Sequence, residues 1–264
     1  MRRRALGPAG LLLLAACGKG PEESGSEAPR AAPPAAPAAT AVPPEYRVTG
    51  KPADGGSIRG IVTLTGPVPE LQARPVTKDH EACGHKDLPN PSLVLSTDKG
   101  VADAVIRLEG LGGGKPFPEV SAVLDQKGCV FRPHTQVVPK GATLAILNSD
   151  AVGHNVHAYD GSNETIFNLG TALKGVRVEQ KMTYPGLLRL KCDIHPWMLG
   201  WIWVAETPYV AVSDAEGRYV LGDVPPGTYQ LVAWHELLGE KRVPVTVAAK
   251  GEAAVDLTLS LVTP

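Results

Sequence analysis

Lys191-Cys192-Asp193-Ile194-His195-Pro196-Trp197-Met198-Leu199-Gly200-Trp201-Ile202-Trp203-Val204 decides the fold. A thiol, an imidazole and a thioether fall within the seven residues Cys192 to Met198, and the β-prone run Trp201 to Val204 follows. A second such run, Gly186 to Leu190, precedes them, so the segment reads as strand, ligand loop, strand. About forty residues upstream, Asn148-Ser149-Asp150-Ala151-Val152-Gly153-His154-Asn155-Val156-His157 adds a further imidazole. A soft thiolate, two imidazoles and a thioether select copper, with two His and one Cys in a trigonal plane and Met as a weak axial ligand. Three ligands on one short loop can curl around an ion, while the fourth comes from a separate strand and fixes the ion to the body of the protein.

The same punctuated β pattern runs outward from this stretch. Ile58 to Leu64, Ala104 to Leu108, Val120 to Leu124, Thr135 to Val138, Thr143 to Leu147 and Val176 to Val178 come before it; Tyr229 to Trp234, Val243 to Val247 and Ala254 to Leu259 come after. Short Val/Ile/Leu/Thr runs separated by Gly and Pro predict an all-β chain of sandwiches. Only about Ile166 to Leu173 reads as a helical turn. No apolar run reaches the roughly 18 residues of a membrane-spanning helix. With 26 Lys+Arg against 27 Asp+Glu, the chain lacks the basic excess of a nucleic-acid binder.

Residues 118–206 resemble the cupredoxins, the small blue-copper proteins, and most closely the amicyanin and plastocyanin type. The resemblance rests on the Val138-Pro139-Lys140-Gly141 turn, the strand into Asn148, the His154-Asn155-Val156 step, the Tyr184-Pro185-Gly186 lead-in and the short Cys-x2-His-x2-Met loop. It implies a Greek-key β-sandwich holding one copper ion that cycles between Cu(I) and Cu(II), with His154, Cys192 and His195 equatorial and Met198 axial. Around them it implies an Asn155 N–H bonded to the cysteine sulfur, an Asn155 side chain tying the two ligand loops, and a weakly approaching Gly153 carbonyl. Asp193 departs from the Ser or Thr of those families; a carboxylate there lowers the potential or changes the bracing of Asn155. Pro196, Trp197 and Leu199 would form an apolar docking patch around His195 for a redox protein such as a c-type cytochrome. His157, three residues past a ligand on a strand, is expected at the surface.

The multicopper oxidases' paired His-x-His motifs do not occur, and Lys191 stands where copper nitrite reductases place a histidine before the ligand cysteine. Four protein ligands leave no position for substrate. The expectation is an electron carrier and not an enzyme. The alternative is a non-redox copper-holding or delivery protein, or an envelope binding module with structural copper; only three methionines argue against copper handling.

Met1-Arg2-Arg3-Arg4 followed by the apolar Ala5 to Ala16 reads as a signal peptide over residues 1–16. Leu14-Ala15-Ala16-Cys17 resembles the bacterial lipobox, which implies lipidation of Cys17; the alternative is an ordinary secretory signal. Residues 17–56, rich in Pro and Ala, read as a disordered tether reaching on the order of 100 Å when extended. Together these imply an extracytoplasmic protein held by its lipid to the bacterial cell envelope, facing the periplasm or on the outer membrane. In that oxidising compartment Cys83 and Cys129 pair by arithmetic. The rival reading is a second metal site from His80, Cys83 and His85, with Cys129 and His134.

Residues 207–264 carry two turns between strands, Ser213 to Tyr219 and Val224 to Tyr229. They resemble the carboxypeptidase-regulatory-like module, a small Ig/transthyretin-like β-sandwich. Residues 57–117 offer Ile58 to Val62 and Ala102 to Leu108 as first strands of that module, with the copper sandwich inserted in it. Trp234-His235-Glu236 is a strand end or a contact patch.

Overall fold

Strand follows strand through the computed structural model, which describes residues 45–261. The signal peptide 1–16, lipidated Cys17 and the tether as far as residue 44 lie outside the described residues. In chain order come β1 Arg47–Val48, β2 Gly56–Leu64, the short helix α1 His80–Cys83, β3 Val105–Glu109, β4 Gly113–Gly114 and β5 Ala122–Gln126. Next are β6 Phe131–Arg132, β7 Thr135–Pro139, β8 Thr143–Asn148, β9 His154–Tyr159, β10 Thr165–Thr171, β11 Arg177–Lys181, β12 Gly186–Lys191 and β13 Leu199–Ala205. The chain continues with β14 Val210–Val212, β15 Arg218–Val224, β16 Gly227–His235, β17 Gly239–Val247, β18 Glu252–Ala254 and β19 Leu257–Leu259.

These strands make two sandwiches, one inside the other. The inner one faces the sheet β10-β9-β12-β13-β7 against β11-β8-β5-β6. The outer one faces β14-β3-β16-β17 against β15-β2-β18, with β19 also paired to β2. Because β2 and β3 share sheets with strands from beyond residue 210, residues 122–205 interrupt the outer sandwich. Each core follows the two-residue period of a half-buried strand. On β2 Ile58, Val62 and Leu64 point inward; on β12 Leu188 and Leu190 do.

β13 uses both faces. Ile202 and Val204 fill the inner core, while Trp201 and Trp203 point out at the other sandwich. There Trp201 meets Trp234 edge-on at 5.1 Å between centroids, and the buried Arg107 guanidinium lies 4.4 Å over Trp203. Arg107 also pairs with Glu109 and Glu240. An aromatic seam and a desolvated cation thus join the two sandwiches.

Two expectations are corrected. Ile166 to Leu173 forms no helical turn: β10 runs antiparallel along β9, and Phe167 reaches the inner core. A ladder partner outweighs the weak local propensity. The tether does not extend to residue 56 either. β1 pairs in parallel with β4, the Tyr46 ring meets Tyr209 at 6.2 Å, and the Tyr46 hydroxyl donates to Lys115 O. One buried aromatic contact and a short ladder order a segment whose composition alone predicts none.

The link between β2 and β3, residues 65–104, is long and nearly free of regular structure. It leaves the outer sandwich, crosses to the inner one and returns, with Val76 and Cys83 entering the inner core and Val101 and Ala104 the outer.

Candidate metal centre

Sheet register brings the candidate ligands to one end of the inner sandwich. β12 and β13 form a hairpin closed by the pair Lys191↔Leu199, so Cys192 to Met198 is its loop. β9 lies on the other side of β12 with Lys191 opposite His157, so its first residue, His154, stands beside the start of that loop. The turn into β9 is held from within. The buried Asn148 amide donates to Val152 O and Thr171 O, each at 2.8 Å, and its Oδ1 accepts from Asp150 N. Gly153 sits against Ala172, just past the end of β10, where a Cβ would come 3.2 Å from Ala172 O.

His154, Cys192 and His195 are all buried. His154 Nδ1 lies 2.9 Å from His195 Nδ1, and Cys192 Sγ is 4.0 Å and 3.8 Å from these two nitrogens. The outer nitrogens face carboxylates: His154 Nε2 is 3.0 Å from Asp150 Oδ2, and His195 Nε2 is 2.9 Å from Asp79 Oδ2. Asp150 is itself held by the Gly128 and Cys129 N–H groups. An ionised carboxylate only accepts, so each Nε2 carries the proton and each Nδ1 carries a lone pair. Two lone pairs 2.9 Å apart repel unless a cation lies between them. Burial lowers the His154 pKa, and the proximity of His195 adds to this, which disfavours a proton there; Asp150 opposes only in part. A metal ion answers the same need. The donor set of two imidazoles and a thiol, with outer nitrogens held by carboxylates, fits copper.

Met198 is buried on the same loop, its N–H bonded to His195 O at 2.9 Å. The Cys192 sulfur accepts from His195 N at 3.4 Å. The Asn155 N–H is not among its donors; Asn155 acts through its side chain instead, accepting from Asp193 N at 2.8 Å and donating to Asp193 Oδ2 at 2.7 Å. Asp193 is therefore a brace between the two loops, its carboxylate turned to Asn155, Asn168 and His157. Burial would raise the Asp193 pKa, but these hydrogen bonds outweigh it and hold it below its usual value. His157 faces away from the ligands as expected, yet it is no free surface group, being bonded to Asp193 and stacked on Tyr159 at 4.1 Å.

The expected docking patch is corrected. Trp197 is buried: its Nε1 donates to Cys129 O at 3.1 Å and its ring sits 5.0 Å from that of His195. Leu199 is half-buried, and only Pro196 of the three is exposed. Ile194, which sequence reasoning passed over, is exposed beside it. The rival second metal site is also overturned, because Cys83 and Cys129 form a disulfide. His80 and His85 stack on each other, and His134 pairs with Glu236. That pair answers the question posed by Trp234-His235-Glu236: these residues meet the inner sandwich. Sequence reasoning missed Asp79, Asp150 and Arg74, whose Nη1 donates to Trp197 O in the loop, since a lone Asp or Arg in a loop carries no spacing signal.

No protein-family model and no curated protein matches the chain. Among solved structures it is similar to a purple cupredoxin from Nitrosopumilus maritimus, at 25% identity over 32% of this chain and 100% of that one, with a TM-score of 0.29. It is similar to a P52G mutant of amicyanin, at 26% identity over 33% of this chain and 85% of that one, TM-score 0.29. It is also similar to the Cu-containing nitrite reductase of Thermus scotoductus SA-01, at 25% identity over 36% of this chain but only 24% of that one, TM-score 0.29. The likeness spans about a third of this chain in each case.

Proposed function

We propose that this protein is a copper protein that passes single electrons through a site made by His154, Cys192, His195 and Met198. The observation that carries the reading is the buried triangle of two imidazole nitrogens and a thiol, with both outer nitrogens committed to carboxylates. Copper bound there supplies a one-electron couple. Cys192 supplies thiolate charge, the two imidazoles hold fixed positions, and the buried loop excludes water. Rigid placement by Asn148, Asn155 and Asp193 keeps the ligands still on a change of charge, as fast electron exchange requires. We further propose that a redox protein, a c-type cytochrome by chemistry, docks on the exposed apolar Ile194 and Pro196. An extracytoplasmic place, a lipid anchor on Cys17 and the absence of catalysis belong to this same reading.

A second reading, a copper holder, draws on one observation: His195 has no exposed surface. The test begins with adding Cu(II) to the purified apo-protein. An intense visible thiolate-to-copper band that disappears in Cys192→Ser is expected. Stoichiometric copper without such a band would refute the thiolate-ligated site. Reversible one-electron voltammetry supports the carrier; sluggish voltammetry with ready release of Cu(I) to a chelator supports the holder.

A further inference from the structure

The long excursion of the outer sandwich reaches the metal site midway along its course. Its Asp79 reaches the outer nitrogen of His195 at 2.9 Å, from 116 residues away in sequence. The His195 side chain is wholly buried while that of Asp79 is 40% exposed, so this carboxylate stands between the imidazole and water. The contact is tied down on both sides. Arg74 Nη1 donates to Trp197 O at 2.9 Å inside the ligand loop. Cys83 is bonded to Cys129, whose carbonyl receives the Trp197 indole N–H. One turn of α1 connects tie to contact, with Ala82 N and Cys83 N both donating to Asp79 O. Asp79 itself holds φ at +52°, in the left-handed region that Asp tolerates better than most side chains.

We infer that Asp79 is a positioning residue of the metal site, delivered by the outer sandwich to fix His195 and to favour Cu(II) over Cu(I). The inference rests on the copper reading above. Its physical basis is that a carboxylate on the outer nitrogen fixes the tautomer and makes the imidazole a stronger donor, and a negative charge close by favours the more highly charged ion. The outer sandwich is then a working part of the site rather than a spacer.

The experiment compares wild type with Asp79→Asn, which keeps an acceptor oxygen and removes the charge, and Asp79→Ala, which removes both. Glu81→Gln, on a wholly exposed side chain two residues further on in α1, controls for general charge. In the copper protein both Asp79 variants should shift the Cu(II)/Cu(I) affinity ratio at least tenfold toward Cu(I), a rise of about 59 mV in potential, with Glu81→Gln unmoved. In the Zn(II)-substituted protein, nitrogen NMR should show His195 protonated at Nε2, with that proton exchanging at least tenfold faster in Asp79→Ala. Unchanged potential in both Asp79 variants, or unchanged exchange in Asp79→Ala, overturns the proposal. The zinc arm does not depend on redox activity, so failure of the electron-carrier reading and failure of the Asp79 role are told apart.

Discussion

His235 shows how one buried side chain sets a response to pH. Burial drops its pKa to about 4, against the ordinary 6.5, the proximity of Glu236 notwithstanding. Its Nδ1 accepts the Leu237 N–H, which only an imidazole unprotonated at that nitrogen can do. As pH falls from 6.5, the unfolded chain binds a proton that the folded chain refuses until about 4. Stability therefore falls with pH across that window, by up to about 3 kcal/mol from this group. His235→Asn, which offers a similar acceptor without the titration, should flatten urea-derived stability between those pH values; an unchanged slope would exclude the group as its source. Trp197 gives the second expectation at this scale. Because its ring is buried, Trp197→Ala should cost about 3–5 kcal/mol, read as a lower urea midpoint. Electron exchange should instead respond to Ile194→Asp, with several-fold slowing and an intact copper spectrum.

At the level of elements, the ligand loop owes its position to a hairpin and its cover to a cross-link. The β12–β13 ladder holds the base of the loop, and the Cys83–Cys129 disulfide holds the excursion against it across 46 residues of sequence. A loop of that length, closed in the unfolded chain, stabilises the fold by about 4 kcal/mol on chain entropy. Thiol titration of denatured, unreduced apo-protein lacking its N-terminal cysteine should find one free thiol, that of Cys192; three would refute the pairing. Reduction should lower the thermal midpoint and also raise the solvent exchange of His195, since Asp79 hangs from the same tie.

At the scale of the molecule, the described residues form two sandwiches joined by a seam. Separating them would expose Trp201 and Trp203 and strip the Arg107 guanidinium of its aromatic neighbour. Calorimetry of the full chain should therefore show a single transition. Arg107→Ala, which removes the cation over Trp203 and leaves Glu240 paired only with the exposed Arg242, should lower the unfolding free energy by about 2 kcal/mol, read as a lower transition temperature. Two well-separated transitions would mean that the seam contributes little. A fragment of residues 118–206 alone should bind copper poorly, because it lacks Asp79 and the disulfide.

The sequence by itself determined the all-β class, because alternating apolar runs between Gly and Pro have few other ways to hide their faces. It also marked His154, Cys192, His195 and Met198 as a donor set, since metal ligands have distinctive chemistry and three of them are near neighbours in the chain. The pairing of Cys83 with Cys129 followed from counting, with a rival left standing that the disulfide removes. Only the tertiary structure decided what surrounds the ligands. Asp79 and Asp150 are ordinary loop residues until folding sets them on imidazole nitrogens, and Trp197, expected at the rim, turns inward because Cys129 O offers its indole a partner. β10 is a strand rather than a helical turn because β9 lies alongside it. Local spacing encodes which groups can ligate; the neighbours that orient and shield them come from distant segments, and their positions exist only once both sandwiches have formed.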